Sequence, residues 1–262
     1  MLTRRFLNSP TGQLHAHEGT GDGTPLLLLH AAPGSARMLT PLQERFSMPS
    51  LAIDLPGMGD SAPLPPGASE PTIADFTAPI RAAVQFNEYD VYGTLSGARV
   101  ALEVAATDAR VRRVILDGIG IPKPGDLDEL LERYAPPFTP NINGTHLTDT
   151  FLLCRDQYLF YPWYARDAEH RRPNGLPAVE KLHIKTMEAL KSAAAFRPLI
   201  RAAFRYDVVA RLKDLKQAAL ISADGAAIRP DLPTLTEPPM EPLTAPPENL
   251  DKRAAAIQAF LA

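Results

Sequence analysis

Cysteine is almost absent from the sequence, since Cys154 is the one cysteine among 262 residues. A single cysteine cannot form an internal disulfide, and it has no second thiolate with which to build a zinc site. A disulfide-stapled scaffold and a zinc-finger module are therefore excluded. We expect Cys154 to behave as a small buried hydrophobic residue.

An excess of charge of either sign is also missing. Lysine and arginine number 27 against 30 for aspartate and glutamate, which leaves a formal net charge of −3. This even mixture offers no basic surface, so we expect no nucleic-acid partner. The longest apolar run, PLLLLHAA at 25–32, is too short to span a bilayer, and residues 1–17 lack the apolar segment of a signal peptide. We therefore expect a cytoplasmic protein with no membrane partner.

The sequence does contain short apolar runs that alternate with segments of helical periodicity. Residues 4–18 alternate in polarity around a turn at 8–12 and predict a β-hairpin. Continuous apolar runs are typical of strands that are buried on both faces of a parallel sheet. Such runs occur at 24–30, 50–57, 89–93, 111–118 and 217–223. Together with the helical segments between them, they predict an α/β fold with right-handed crossovers.

The alternation stops between about residues 122 and 212. No apolar strand run occurs in this stretch, which is helix-like and aromatic and is interrupted by segments rich in proline and glycine. We interpret 122–212 as an inserted helical cap, and 1–121 with 213–262 as the core. A proline-rich loop at 229–248 is expected to precede a C-terminal amphipathic helix.

Four segments carry a family resemblance. They read LLLLHAAPGSARMLTPL, LAIDLPGMGDSAP, DVYGTLSGARVALEVA and PPENLDKRAAAIQAFLA. In this order they resemble the landmarks of the α/β-hydrolase superfamily, in its single-domain bacterial branch with a helical cap over the site. The resemblance implies the α/β-hydrolase fold, which is a mostly parallel sheet flanked by helices with an inserted helical cap. A fold alone does not imply a function, which depends on the residues of the site.

The nucleophile of this family stands at the tip of a strand-to-helix turn with the pattern Gly-x-nucleophile-x-Gly. Gly93 and Gly97 match the two glycines, which puts Leu95 in the nucleophile's position. Leucine has no lone pair with which to attack a carbonyl, so acyl-enzyme chemistry at Leu95 is excluded. A frame shifted by one residue would make Ser96 the nucleophile, although the turn would then begin with the β-branched Thr94.

The resemblance also implies an oxyanion hole. The stretch HAAPG at 30–34 stands where the family has His-Gly-x-Pro-Gly, so the backbone N–H groups of Ala32 and Ser96 are expected to form the hole. A plain tight turn at Ala32 and a helix N-cap at Ser96 are the simpler explanations. We expect His30 to bond this loop and to border the substrate.

The acid and the histidine of the family should follow in that order along the chain. Asp224 is the candidate acid after the strand at 217–223, unless it only caps a turn. Counting back from the last helix puts Met240 near the histidine position, and the last histidine in the chain is His183. The sequence therefore predicts a degenerate catalytic triad.

The predicted cap supplies the remaining candidates. His146 could act as a general acid or base with Asp149 one helical turn away, or it could simply bond backbone at a helix N-terminus. Arg155 suits a substrate carboxylate, and an ion pair with a neighbouring acid explains it equally well. Trp163 and Tyr164 are expected to line the substrate pocket or to fill the cap core.

Three hypotheses follow from these patterns. The first is an enzyme that acts on a small carbonyl compound through the oxyanion hole, without an acyl-enzyme, as a lyase, isomerase, decarboxylase or atypical hydrolase. The second is a non-catalytic binder of a small molecule, and the third is a serine hydrolase that uses Ser96 with a displaced triad. No cofactor and no metal are expected, because the sequence has no nucleotide-binding glycine pattern and no histidine pair at metal spacing. A small molecule is the expected partner, and a homodimer is considered.

Overall fold

The computed structural model describes residues 1–65, 70–122, 124–173, 175–222, 236, 240–245 and 248–262. In this part of the chain, eight strands form one sheet in the order β1-β2-β4-β3-β5-β6-β7-β8. The strand β2 runs antiparallel to β1 and β4, and the remaining neighbours pair in parallel. The strands are β1 (Leu2–Ser9), β2 (Gly12–Gly19), β3 (Leu26–Leu29), β4 (Ser50–Ile53), β5 (Tyr89–Thr94), β6 (Val111–Asp117), β7 (Ala218–Ser222) and β8 (Glu241–Leu243).

Helices cover both faces of the sheet. The central strand β3 is fully buried, and its leucines alternate between two hydrophobic clusters: Leu27 and Leu29 face one, Leu26 and Leu28 the other. This confirms the predicted α/β-hydrolase fold and explains why the strand runs are continuously apolar. The helices are α1 (Thr40–Gln43), α2 (Ile73–Ala83), α3 (Ser96–Thr107), α4 (Leu127–Arg133), α5 (Thr145–Leu159), α6 (Val179–Lys191), α7 (Ala193–Arg205), α8 (Val208–Asp214) and α9 (Leu250–Leu261).

The prediction of one continuous loop at 229–248 is wrong for residues 241–243. These residues form β8, which pairs in parallel with β7 and brings Leu220 opposite Glu241. The strand escaped the sequence analysis because it is only three residues long and contains Pro242. Proline lacks the N–H that a central strand would need, but β8 lies at the sheet edge, where that loss is tolerated.

The helices α4 to α8 lie between β6 and β7 and are called the helical insertion below. Helices α5, α6 and α7 contribute to a hydrophobic cluster of their own, which also packs against Ala32, whereas α8 joins the main core cluster through Val208 and Leu212. The Ser192 hydroxyl of the insertion donates to the Gly34 carbonyl at 3.0 Å, and Lys191 pairs with Asp60 at 2.8 Å. The helical insertion therefore rests on the loops that follow β3 and β4. None of the described helices has the length and apolar character needed to cross a membrane.

Candidate active site

The turn between β5 and α3 has the geometry of a nucleophile elbow. Its tip is Leu95, which has φ 52° and ψ −113° and is the one non-glycine residue with positive φ in the described chain. A Cβ added to Gly93 would stand 2.3 Å from the Gly97 carbonyl oxygen, and one added to Gly97 would stand 2.4 Å from the His30 oxygen. Both elbow glycines are therefore required by close backbone approach.

The structure distinguishes Leu95 from Ser96 as the residue at the tip. The Leu95 side chain is 54% exposed, whereas Ser96 is 6% exposed and is the first residue of α3. The shifted frame with Ser96 at the tip is therefore wrong, because the strained turn residue is Leu95. The position that normally presents a nucleophile carries an aliphatic side chain.

The hydroxyl of Ser96 is bonded to the loop after β3. The Ala32 N–H donates to the Ser96 Oγ at 2.8 Å. One of the two N–H groups expected to bind a substrate oxyanion is thus already paired within the protein. The Ser96 N–H belongs to the first turn of α3, where backbone donors have no partner inside the helix. An oxyanion could accept a hydrogen bond from the Ala32 N–H only if the Ser96 side chain rotated away from it.

The assignment of His30 as a substrate contact is wrong. The side chain has no exposed surface, its Nδ1 bonds the Ala31 carbonyl at 2.9 Å, and its Nε2 accepts the Leu55 N–H at 2.9 Å. Burial lowers the pKa of His30, which keeps the ring neutral. Both ring nitrogens are used in holding the loop, so His30 is a structural residue.

The positions of the other two triad members can be located on the fold. The acid would follow β7, and Asp224 lies outside the described residues. The histidine would stand between β8 and α9, whose described residues there are Thr244, Ala245, Glu248 and Asn249. The placement of Met240 near this position is wrong, because Met240 precedes β8 and is packed in the core at the opposite end of the strand.

No histidine of the described chain forms a hydrogen bond with the elbow. The Nδ1 of His146 accepts the Asn141 N–H at 3.3 Å, which is the simple helix-terminal role, and no contact with Asp149 is found between these two described residues. The six histidines all lie in the described chain, and none of them is hydrogen-bonded to a residue of 93–97.

The cap residues expected to bind substrate have partners within the helical insertion. The Nε of Arg155 donates to Asp156 at 2.7 Å, and Arg166 pairs with the other oxygen of this fully buried carboxylate at 2.8 Å. The indole N–H of Trp163 donates to the Tyr134 carbonyl at 2.8 Å. Tyr164 packs edge-on against that indole, at 5.8 Å between ring centroids. Arg155 therefore neutralises a buried acid, and the two aromatic residues are part of the insertion's packing.

Sequence analysis missed Arg99, which follows the elbow on α3. Arg99 is 6% exposed, and its two Nη atoms donate to backbone, to Gly120 and, at 3.4 Å, to Leu95. Its Nε has no hydrogen-bond partner among the described residues. Burial lowers the pKa of Arg99 to about 10, and the groups that act on it electrostatically are tyrosines, including Tyr134 and Tyr161 of the helical insertion. The sequence did contain a signal, because Arg99 is the one charged residue of SGARVALEVAA before the buried Glu103.

A cluster with ligand spacing for a metal lies away from the elbow. His15, Asp54 and Asp60 bring one ligand atom each within 4.8 Å of one another. However, His15 Nδ1 bonds Asp54 at 2.9 Å, its Nε2 accepts from Arg4 at 3.1 Å, and Asp60 pairs with Lys191. The lone pairs are thus used in a hydrogen-bonded network that fixes the loop after β4.

Two cavities of about 280 and 360 Å³ lie in other parts of the described structure. The first is lined by Leu2, Gly19 and Gln43, and the second by Leu64 and Pro79. Neither is lined by an elbow residue, so neither is considered as the site.

Comparison with known proteins identifies the family of the chain. A sequence model described as the alpha/beta hydrolase family matches residues 26–251, so the chain belongs to that family. No curated protein matches the chain in sequence.

Solved structures share the fold at low identity. The enol-lactonase from Burkholderia xenovorans LB400 superposes with a TM-score of 0.70 and 17% identity, over 98% of this chain and 99% of that one. Epoxide hydrolase A from Mycobacterium thermoresistibile gives 0.70 and 18% over 100% and 98%, and the haloalkane dehalogenase DatA from Agrobacterium tumefaciens C58 gives 0.70 and 18% over 99% and 96%. At these identities the similarity establishes the fold and leaves the reaction open.

Proposed function

We propose that this protein acts on a small carbonyl-containing compound without forming a covalent acyl-enzyme. The observation that carries the proposal is Leu95 at the tip of a fully formed elbow, with the neighbouring Ser96 hydroxyl bonded to Ala32 and no histidine bonded to it. A serine hydroxyl is a weak nucleophile until a base within hydrogen-bond distance accepts its proton. Such a base is missing beside Ser96 in the described chain.

The elbow can still stabilise negative charge that develops on the carbonyl oxygen of a ligand. Rotation of the Ser96 side chain would free the Ala32 N–H, which would then join the Ser96 N–H in facing a substrate oxygen. Paired N–H donors stabilise an enolate or alkoxide by a few kcal/mol, about 3 to 4 for one donor in known cases. That is sufficient for isomerisation, decarboxylation, dehydration or carbon–carbon cleavage when another group transfers the proton. We accordingly propose an enzyme whose triad is degenerate and whose helical insertion covers the site.

A non-catalytic binder is the second candidate. The Ala32–Ser96 bond favours it, because this bond occupies an oxyanion donor in the ligand-free protein. Arg99 beside the elbow also keeps its proton at pH 7, since burial lowers its pKa only to about 10, and burial raises the pKa of both Tyr134 and Tyr161. For both candidates we keep the predictions of a cytoplasmic location and a small-molecule partner, and a homodimer stays a prediction.

Burst kinetics with p-nitrophenyl acetate test the proposal. The wild-type protein and Leu95→Ser should both show no stoichiometric burst of nitrophenolate, because neither serine has a base to activate it. A wild-type burst that disappears in Ser96→Ala would establish the serine-hydrolase alternative. A strong burst in Leu95→Ser alone would show that a base already stands beside the elbow.

Hydrogen exchange separates the enzyme from the binder. An oxyanion hole that stabilises an enolate promotes exchange of the protons next to a ketone, which proton NMR detects as loss of signal in D₂O. With levulinate (4-oxopentanoate) as the ketone, an enzyme accelerates this exchange, and Ser96→Pro, which removes the Ser96 N–H, abolishes the acceleration. A binder broadens the levulinate signals without exchange.

A further inference from the structure

The buried guanidinium of Arg99 lacks a counter-charge in the described structure. Among the described residues, no carboxylate forms an ion pair with Arg99, and the groups that act on its charge are Tyr161, Tyr134 and Tyr206. By contrast, the other deeply buried arginine, Arg253, forms a two-pronged ion pair with Asp117. An arginine held at 6% exposure without an anion is therefore unusual within this protein itself.

An unpaired buried charge is expensive. Removing an ion from water costs several kcal/mol even after the protein relaxes, and backbone carbonyls offset only part of that cost. Arg99 has carbonyl acceptors for its Nη atoms and nothing for its Nε. The cost is recovered if an anion binds there, because a guanidinium and a carboxylate form two parallel hydrogen bonds.

A second arginine, Arg172, acts on the same tyrosines as Arg99. The guanidinium carbon of Arg172 stands 5.3 Å from the centre of the Tyr161 ring, and its Nε is also buried without a hydrogen-bond partner. Arg99 and Arg172 both act electrostatically on Tyr134 and on Tyr161. The core and the helical insertion thus contribute one cation each to the region around these two tyrosines, and within the described chain Asp126 is the one acid that acts on Tyr161.

We propose that Arg99, together with Arg172, binds the carboxylate of a small oxo-acid whose carbonyl group lies over Leu95. An Arg99 Nη lies 3.4 Å from the Leu95 carbonyl oxygen, so the carboxylate site adjoins the elbow. A ligand that reaches from this site to the space over Leu95 must therefore be small. This inference rests on the proposed function, for which it names the substrate class. Arg99 is then a binding residue, kept in the core at a cost to the stability of the ligand-free protein.

The test compares levulinate with its uncharged methyl ester on purified full-length protein. Binding is measured by calorimetry, and thermal melting is followed with and without each compound. Wild type should bind the acid at least tenfold more tightly than the ester, and Arg99→Met should remove that preference. Arg99→Lys should restore only part of it, because an ammonium cannot bind a carboxylate in the two-pronged geometry. Arg155→Met is the matched control and should keep the preference, because Arg155 pairs with Asp156.

Melting of the ligand-free protein gives an independent readout. Arg99→Met should melt higher than wild type, since it removes an unpaired buried charge and keeps most of the apolar volume. Equal binding of acid and ester by wild type, or no binding of either, would overturn the inference. A lower melting temperature of Arg99→Met would also overturn it, because it would mean that the hydrogen bonds from Arg99 to the Leu95 and Gly120 carbonyls already offset the cost of burying its charge.

Failure of this inference and failure of the proposed function give different results. If wild type binds levulinate and its methyl ester equally well but shows no nitrophenolate burst, the proposed absence of acyl-enzyme chemistry stands and the substrate class is wrong. If a serine is acylated while Arg99 still selects the acid, the substrate class stands and the reaction is wrong.

Discussion

The strain stored at Leu95 can be measured by replacing it with glycine and with alanine. A non-glycine residue with φ 52° and ψ −113° costs about 1–3 kcal/mol, and glycine adopts this region freely. Glycine loses about 0.5–1 kcal/mol more than alanine in chain entropy on folding. Leu95→Gly should therefore be more stable than Leu95→Ala by about 1 kcal/mol. Both variants lose the same half-buried leucine side chain, so its packing cancels in the comparison.

Urea unfolding measures this difference in the free energy of unfolding. Ala255, which is exposed on α9, supplies the matched control, because Ala255→Gly should lose about 1 kcal/mol in an unstrained helix. If Leu95→Gly were less stable than Leu95→Ala by a similar amount, the elbow would be unstrained and the reasoning from its backbone would fail.

Two further predictions concern buried ions. Asp117→Asn should lower the free energy of unfolding by about 3–5 kcal/mol, because it leaves Arg253 charged and buried; a loss under 1 kcal/mol in urea unfolding would contradict this. Burial alone would raise the pKa of Asp108, but hydrogen bonds from Arg110 and Tyr89 outweigh it and bring the pKa down to about 2. Since this folded value lies below the ordinary 3.8, Asp108 should contribute about 2 kcal/mol above pH 4 that disappears as the pH falls towards 2. Asp108→Asn should flatten that part of the stability profile, and an unchanged profile would refute the assignment.

Much of the fold could be predicted because it depends on local patterns. The apolar run at 26–29 and the pair Gly93 and Gly97 are visible in the sequence, and each has a single structural explanation. The edge strand β8 was hidden because its stability depends on pairing with β7 and its own composition is typical of a loop. That strand also moved the expected histidine position away from Met240.

The candidate site was predicted less completely, because its important contacts join distant segments. The Ala32–Ser96 bond spans 64 residues, and no local pattern indicates which hydroxyl reaches the loop. The lack of a partner for Arg99 could not be read from the sequence either, since pairing depends on which helix face is buried. Arg155 was placed in the site for its chemistry, although a neighbouring carboxylate already neutralises it.

Fluorophosphonate labelling followed by intact-protein mass spectrometry tests the central claim most directly. The reagent forms a stable adduct only with an activated serine, and Ser96→Ala serves as the control for background labelling. With Leu95 at the elbow tip and Ser96 bonded to Ala32, the wild-type protein should keep its unmodified mass. One equivalent of adduct on Ser96 in wild type, absent from Ser96→Ala, would contradict the account and establish a serine hydrolase.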